Sequence, residues 1–283
     1  MTASELPAHP GQERITVIEP PAGWRLLDVR ELWEYRELLW VLATRDVRVR
    51  YKQTILGAGW AVLRPLLSMA IFSVVLGKFG RMPSDGNPYP IFVYAGLLPW
   101  GFFAGAVTSA ASSLVGSSAL VSKVYFPRLI IPLASMGGAL ADLFVSTAIL
   151  LLLMLWYGVA FTPALLAAIP LLLLILVIAA GVGTLLSALT VTFRDFTHIT
   201  PFIVQIWMFA TPVVFPLSVV PVQWRWLFAL NPMTGPVEAF RAAFLGTPLI
   251  LAPVAGSLVA GVLLLVVGVG YFGRVERRFA DII

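Results

Sequence analysis

The chain has 283 residues, 59% of them hydrophobic and only 12% charged, with no cysteine and a formal net charge of +5. A soluble surface needs roughly a quarter charged residues, so most of this chain has lipid for its solvent and a water-soluble enzyme is excluded. Without cysteine there are no disulfides, thiolate nucleophiles or thiolate metal sites.

Residues 1–23 hold three Glu, several Pro and Gly and no apolar run, which predicts a disordered cytoplasmic tail rather than a signal peptide. Residues 24–52 predict an amphipathic interface helix. Asp28 and Glu31 have capping-box spacing, and Leu32, Tyr35, Leu39 and Leu42 recur at helical intervals beside Arg30, Glu34 and Glu37. Such a helix lies on the inner leaflet or packs on the protein's own cytoplasmic end. Arg45, Arg48, Arg50 and Lys52 follow as a basic collar at the membrane threshold, with Asp46 and Arg50 spaced i,i+4.

A spanning helix needs about 20 apolar residues, and 53–273 accommodates six, at 60–80, 91–117, 131–157, 163–191, 199–217 and 251–272. The fold class is therefore an all-α integral membrane protein. Met82 to Pro88 make a turn-rich external loop. The second span is poor in side-chain bulk, with Gly101, Gly105, Ser109, Ser112, Ser113, Gly116 and Ser117, which suits close helix approach or a wet path. Asp142 is the only carboxylate inside a span. It is either functional, as the proton site of a proton-coupled secondary transporter would be, or a packing device bonded to neighbours.

From Phe215 to Gly246 the chain is too interrupted to span, with Pro216, Pro221, Pro232 and Pro236, and too apolar for an aqueous loop, with Trp224, Trp226, Phe228 and Phe240. Two short re-entrant helices at the outer interface, broken at Asn231-Pro232, satisfy both constraints. They serve as a gate or as an aromatic anchor. Residues 274–283 form a cytoplasmic tail. Eight Lys or Arg between Arg25 and Arg64, and three more from Arg274 to Arg278, put both termini in the cytoplasm. The pI of about 9.8 follows from these bases, which suit anionic lipid headgroups rather than nucleic acid.

No Gly-x-x-x-x-Gly-Lys-Ser/Thr occurs, so the chain has no P-loop for nucleotide phosphates, and ATP hydrolysis, where it drives transport, belongs to another polypeptide. His9 and His198 are too far apart in sequence and context to suggest a metal site or a triad. No catalytic or metal-binding residue is assigned, and the chain is not read as an enzyme. Between the second and third spans, Lys123, Val124, Tyr125, Phe126, Pro127 and Arg128 combine aromatic anchors with a basic rim. That composition suits a partner's groove or an ordinary basic turn. Phe193-Arg194-Asp195-Phe196 is a second short connection.

Four blocks then resemble the permease subunits of ATP-binding-cassette exporters for cell-surface polysaccharide, of the O-antigen and teichoic-acid type. They are Arg45-Asp46-x-x-x-Arg50-Tyr51-Lys52-Gln53-x-x-Leu56-Gly57-x-x-Trp60 with Leu63 and Pro65; Lys123 to Arg128 with Ile131-Pro132-Leu133-Ala134; Arg194-Asp195 through Pro201-Phe202, Gln205, Trp207 and Thr211-Pro212-Val213 to Pro216; and Asn231-Pro232-Met233 with Glu238-Ala239-Phe240-Arg241. The resemblance implies a homodimer bound to two copies of a separate ATPase, which holds the ATP and Mg, in a bacterial inner membrane. It implies contact with that ATPase at Leu32, Tyr35 and the Lys123 to Arg128 segment. It implies an external gate or channel around Phe215, Trp224, Trp226, Phe228, Asn231, Phe240 and Arg241, and a cargo of glycan on a polyprenyl diphosphate. The Arg45 to Lys52 collar suits that diphosphate, or is an ordinary anchor to membrane lipids. Phe215 stands where relatives often have Tyr.

Overall fold

The structure, a computed structural model, describes residues 29–52, 57–276 and 279. The predicted tail 1–23, the Asp28 cap, Gln53 and Leu56, and most of the predicted tail 274–283 lie outside the described residues. Every regular element among the described residues is helical.

The predicted interface helix is a pair, α1 (Val29–Glu34) and α2 (Arg36–Lys52), separated at Tyr35. α3 (Gly57–Phe72) runs on through a π-helical stretch, Ser73–Phe79. α4 (Tyr89–Gly116) is followed by the short α5 (Ser118–Lys123). The third apolar stretch is α6 (Ile130–Ser135) and α7 (Gly137–Tyr157), jointed at Met136 between Pro132 and the Gly137-Gly138 pair, the residue types that break helices. α8 (Ala168–Thr192) follows a 3-10 turn, Pro163–Ala167. The chain ends in α9 (Phe196–Phe209), α10 (Arg225–Leu230), α11 (Thr234–Leu245) and α12 (Leu251–Val275).

Five stretches are long and apolar enough to cross a bilayer: Gly59–Phe79, Tyr89–Gly116, Ile130–Tyr157, Pro163–Thr192 and Leu251–Val275. The stretch expected at 199–217 differs. Only the 14 residues of α9 are helical there, about 21 Å at 1.5 Å per residue. Thr211-Pro212 explains the stop, because a proline disfavours helical backbone in the residue before it. The break expected at Asn231-Pro232 is present, between α10 and α11.

Side-chain clusters define two ends of the bundle. At the first, Leu42 of α2 packs with Leu114, Val121, Phe126, Ile130, Val191, Val269, Phe272 and Phe279, tying α2 to the C-terminal ends of α4, α8 and α12. At the opposite end, Ser218 donates to Asp85 and the Tyr89 hydroxyl donates to Val214 O at 2.7 Å. The chain therefore passes from one end to the other between Phe196 and Ser218, first as the 14 residues of α9 and then as turns. Leu32, Tyr35, Leu38 and Leu39 pack on the first cluster, so the apolar face of α1 and α2 lies against the protein's own end. Trp33 and Trp40 point away, each more than two-thirds exposed, as amphipathic rings do at a membrane interface.

Of the five long apolar stretches, α4 is the most buried, and α3 is the reverse, with no buried residue in its most apolar stretch. Small residues let α8 and α12 cross closely. A Cβ on Gly181 would come 2.5 Å from Leu265 N, and one on Gly268 would collide with the Gly181 carbonyl.

Candidate functional site

The segment 215–246, expected to be re-entrant, is held by two polar knots. Arg241 is 1% exposed. Its Nη1 donates to Glu238 Oε1 at 2.8 Å and to Phe215 O at 3.3 Å, its Nη2 to Val213 O, and its Nε to Phe92 O at 3.4 Å. The guanidinium also lies 4.0 Å from the centroid of the Phe92 ring, where a cation meets the ring's negative face. Gly96 has no side chain because Val213 O and Arg241 Nη2 occupy the place of its Cβ.

Asn231 is the second knot. Its Oδ1 accepts from Trp207 Nε1 and Met233 N, and its Nδ2 donates to Ala210 O and Thr211 Oγ1, all within 2.9–3.0 Å. Phe240 is buried and stacks on Phe244 at 5.3 Å, and Phe215 meets Phe228 edge to face at 6.0 Å. Of the residues expected to form a gate or channel surface, Arg241 and Phe240 are thus interior and Asn231 is fully engaged. Trp224 and Trp226 are exposed.

At the α2 end the polar groups are less enclosed. Asp142 of α7 receives the Tyr51 hydroxyl on Oδ1 at 2.5 Å and the Arg50 Nη1 on Oδ2 at 3.0 Å. Burial, then the hydrogen bond to Asp142, pushes the Tyr51 phenol up to about 12. Tyr51 is therefore a neutral donor at working pH. Arg45 holds Asp46 through Nε and Nη2 at 3.0 and 2.9 Å. Arg48 and Lys52 are exposed on the same helix. The basic collar is thus divided: Arg45 is paired within α2, and Arg50 reaches across to α7.

Two cavities meet at Arg50. A chamber of about 330 Å³ lies under α2, lined by Arg45, Asp46, Arg50, Ser109, Ser113 and Gly138 among others. A groove of about 630 Å³ runs between α3, α4 and α7, with Trp60, Arg64, Trp100, Thr108, Asp142 and Ser146 in its walls. The Ser and Gly residues of the second apolar stretch form the shared wall, Ser109 lining both. The Arg64 guanidinium lies 5.8 Å from the Trp60 ring centroid.

The connection between α5 and α6 is fixed from within. Phe126 is 5% exposed in the first cluster, which corrects the expectation that it stands out beside Tyr125. Arg128 N donates to Glu276 Oε1 at 3.1 Å, and the Arg128 guanidinium donates to Glu276 O. Burial raises the Glu276 pKa, partly opposed by those Arg128 contacts. Lys123, Val124 and Tyr125 remain exposed, and Pro127 is partly buried. Leu32 and Tyr35 lie beside this segment in the same cluster.

Sequence reasoning missed Tyr51, Glu276 and Arg64 as partners. Glu238 stood in the fourth block three residues before Arg241, a spacing that brings side chains together on a helix. The residues joined to Asp142 and Arg128 come from distant segments and left no local signal. Among the described residues no group of three His, Cys, Asp or Glu could hold a metal ion.

Comparison with known proteins places these features in a family. Residues 37–245 match the family described as ABC-2 type transporter. The chain is 27% identical over 248 residues to an O-antigen export system permease protein RfbA of Klebsiella pneumoniae, covering 87% of this chain and 95% of that one. It is 33% identical over 218 residues to the protein of the same name in Myxococcus xanthus, covering 76% and 83%. Polysialic acid transport protein KpsM of Escherichia coli is 26% identical over 208 residues, covering 71% and 79%. The family match spans both polar ends of the bundle, from α2 through α11, and the chain belongs to the ABC-2 type transporter family.

Proposed function

We propose that this chain is the membrane permease of an ATP-driven exporter that carries a lipid-linked surface polysaccharide, foremost O-antigen, across the cytoplasmic membrane of a bacterium. The observation that carries this reading is the groove along α3. It combines aromatic faces at Trp60 and Trp100 with the hydroxyls of Ser68, Thr108, Ser109 and Ser146 and the guanidinium of Arg64. Aromatic rings stack on the apolar faces of sugars and hydroxyls exchange hydrogen bonds with them, which suits a moving glycan better than a dehydrated ion. The relatives' names, for O-antigen export and polysialic acid transport, point the same way.

α3 leaves the groove bordered by uncovered apolar residues, including Leu63, Leu67 and Ile71. A second copy of the chain laid along this face closes the groove into a conduit. Both termini and the α2 end face the cytoplasm. There two copies of a separate ATPase, carrying ATP and Mg, dock against α1, α2 and the exposed Val124 and Tyr125. Trp224, Trp226 and Phe228 border the external mouth.

The test is deletion of the gene for this chain in its own host, with restoration by the wild-type gene. Loss of surface polysaccharide with lipid-linked polymer accumulating inside is expected. An unchanged surface glycan and no internal polymer would overturn the reading. Loss of a capsular polymer instead would keep export and remove O-antigen.

A further inference from the structure

Arg50 has more hydrogen-bonding capacity than the fold uses. A guanidinium carries five N–H donors. Among the described residues its one ion-pair partner is Asp142, through Nη1, and its other nitrogens make no hydrogen bond there. The side chain is 39% exposed and lines both cavities. Gly138 leaves room for it, since a Cβ at that position would come 2.8 Å from Nη1.

The charges facing this junction are few. The two cavities together are lined by Arg45, Arg50 and Arg64 against Asp46 and Asp142. Arg45 is engaged by Asp46 and Arg64 lies against Trp60. With Arg50 facing Asp142, the lining keeps one positive charge in surplus, and Arg50 is the one cation of the three that lines both cavities. A planar guanidinium with free parallel N–H groups matches phosphate oxygens, which accept two bonds from one fork.

We propose that Arg50 binds the anionic head of the cargo, phosphate or diphosphate oxygens borne on a lipid, at the junction of the two cavities. Asp142 is a built-in competitor that occupies Arg50 until that anion displaces it. When Arg50 turns away, Asp142 keeps the hydrogen bond from Tyr51, so the carboxylate is not stripped of every partner. The assignment rests on the lipid-linked cargo proposed above.

The full chain in phosphatidylcholine nanodiscs would be titrated with farnesyl diphosphate, farnesol and inorganic pyrophosphate. Wild type is expected to bind farnesyl diphosphate about tenfold or more tightly than farnesol, the scale of one charged hydrogen-bonded contact. Arg50→Gln should erase that preference. Asp142→Asn should bind farnesyl diphosphate several-fold more tightly than wild type, a gain that misfolding cannot produce. Retained preference in Arg50→Gln, or no gain in Asp142→Asn, overturns the assignment. Inorganic pyrophosphate binding as tightly as farnesyl diphosphate would make this a free-anion site and overturn the lipid-borne head. Wild type that does not distinguish the diphosphate from the alcohol would instead sink the lipid-linked cargo on which the assignment rests.

Discussion

Arg241 and Arg50 stand at opposite ends of the same bundle, and the fold treats them in opposite ways. Arg241 is closed in by three carbonyls, a carboxylate and the Phe92 ring. Arg50 meets one carboxylate across a cavity wall. The sequence marks both as candidate site residues, one as gate and one as headgroup contact. Saturation distinguishes them: a buried charge with four of its five donors engaged joins segments, whereas a half-exposed charge with most donors to spare can take a ligand. Arg241 draws together α4, α11 and the turns after α9, tying irregular backbone to two helices.

The largest expected effect is therefore at Arg241. Arg241→Ala leaves the mostly enclosed Glu238 without its cation and frees three carbonyls, and is expected to cost about 3–5 kcal/mol, the scale for breaking a buried pair. Arg50→Gln breaks a partly exposed pair and is expected to cost no more than about 1 kcal/mol. Thermal unfolding of both variants in one detergent checks this, and equal midpoints would dissolve the distinction between the two ends. Asn231→Ala, which removes four hydrogen bonds from the second knot, is expected to cost about 1–3 kcal/mol by the same measurement.

Smaller effects sharpen the α2 end. Glu276→Ala removes the acceptor for Arg128 N and should weaken capture of the partner ATPase by the purified chain, whereas Glu276→Gln keeps an acceptor without a buried charge and should retain capture. Equal capture by both would separate the Val124-Tyr125 surface from the C-terminal hold. Gly138→Ala meets only the far end of the flexible Arg50 side chain. It is expected to shift stability by less than about 1 kcal/mol while displacing the guanidinium and lowering farnesyl diphosphate affinity.

The parts legible in sequence were those written locally. Long apolar runs gave the spanning helices, and Asn231-Pro232 gave the break between α10 and α11, because each depends on neighbours along the chain. The stretch 199–217 was over-read as helix because hydropathy continues through Thr211-Pro212 while helical hydrogen bonding does not. The ion pair at Asp142 and the Arg128 hold on Glu276 were not legible. Tyr51 and Asp142 are 91 residues apart and Arg128 and Glu276 are 148 apart, so neither pair leaves a periodicity. Tyr125 and Phe126 are adjacent aromatics with opposite fates, exposed and buried, decided by the cluster under the loop.

α12 touches both ends of the molecule. Its C-terminus leads to Glu276 and the grip on Arg128. Nearer its start, Ser257 Oγ accepts from Gly235 N at the beginning of α11, and between them Gly268 is locked against α8. A helix pinned at three heights cannot yield at one of them alone. Any force on the Val124-Tyr125 loop must either snap the Arg128 contact or drag the end of α12, and with it strain the seat of α11 far across the bundle. The last helix is thus placed as a connecting rod between the loop and the α10–α11 end of the bundle.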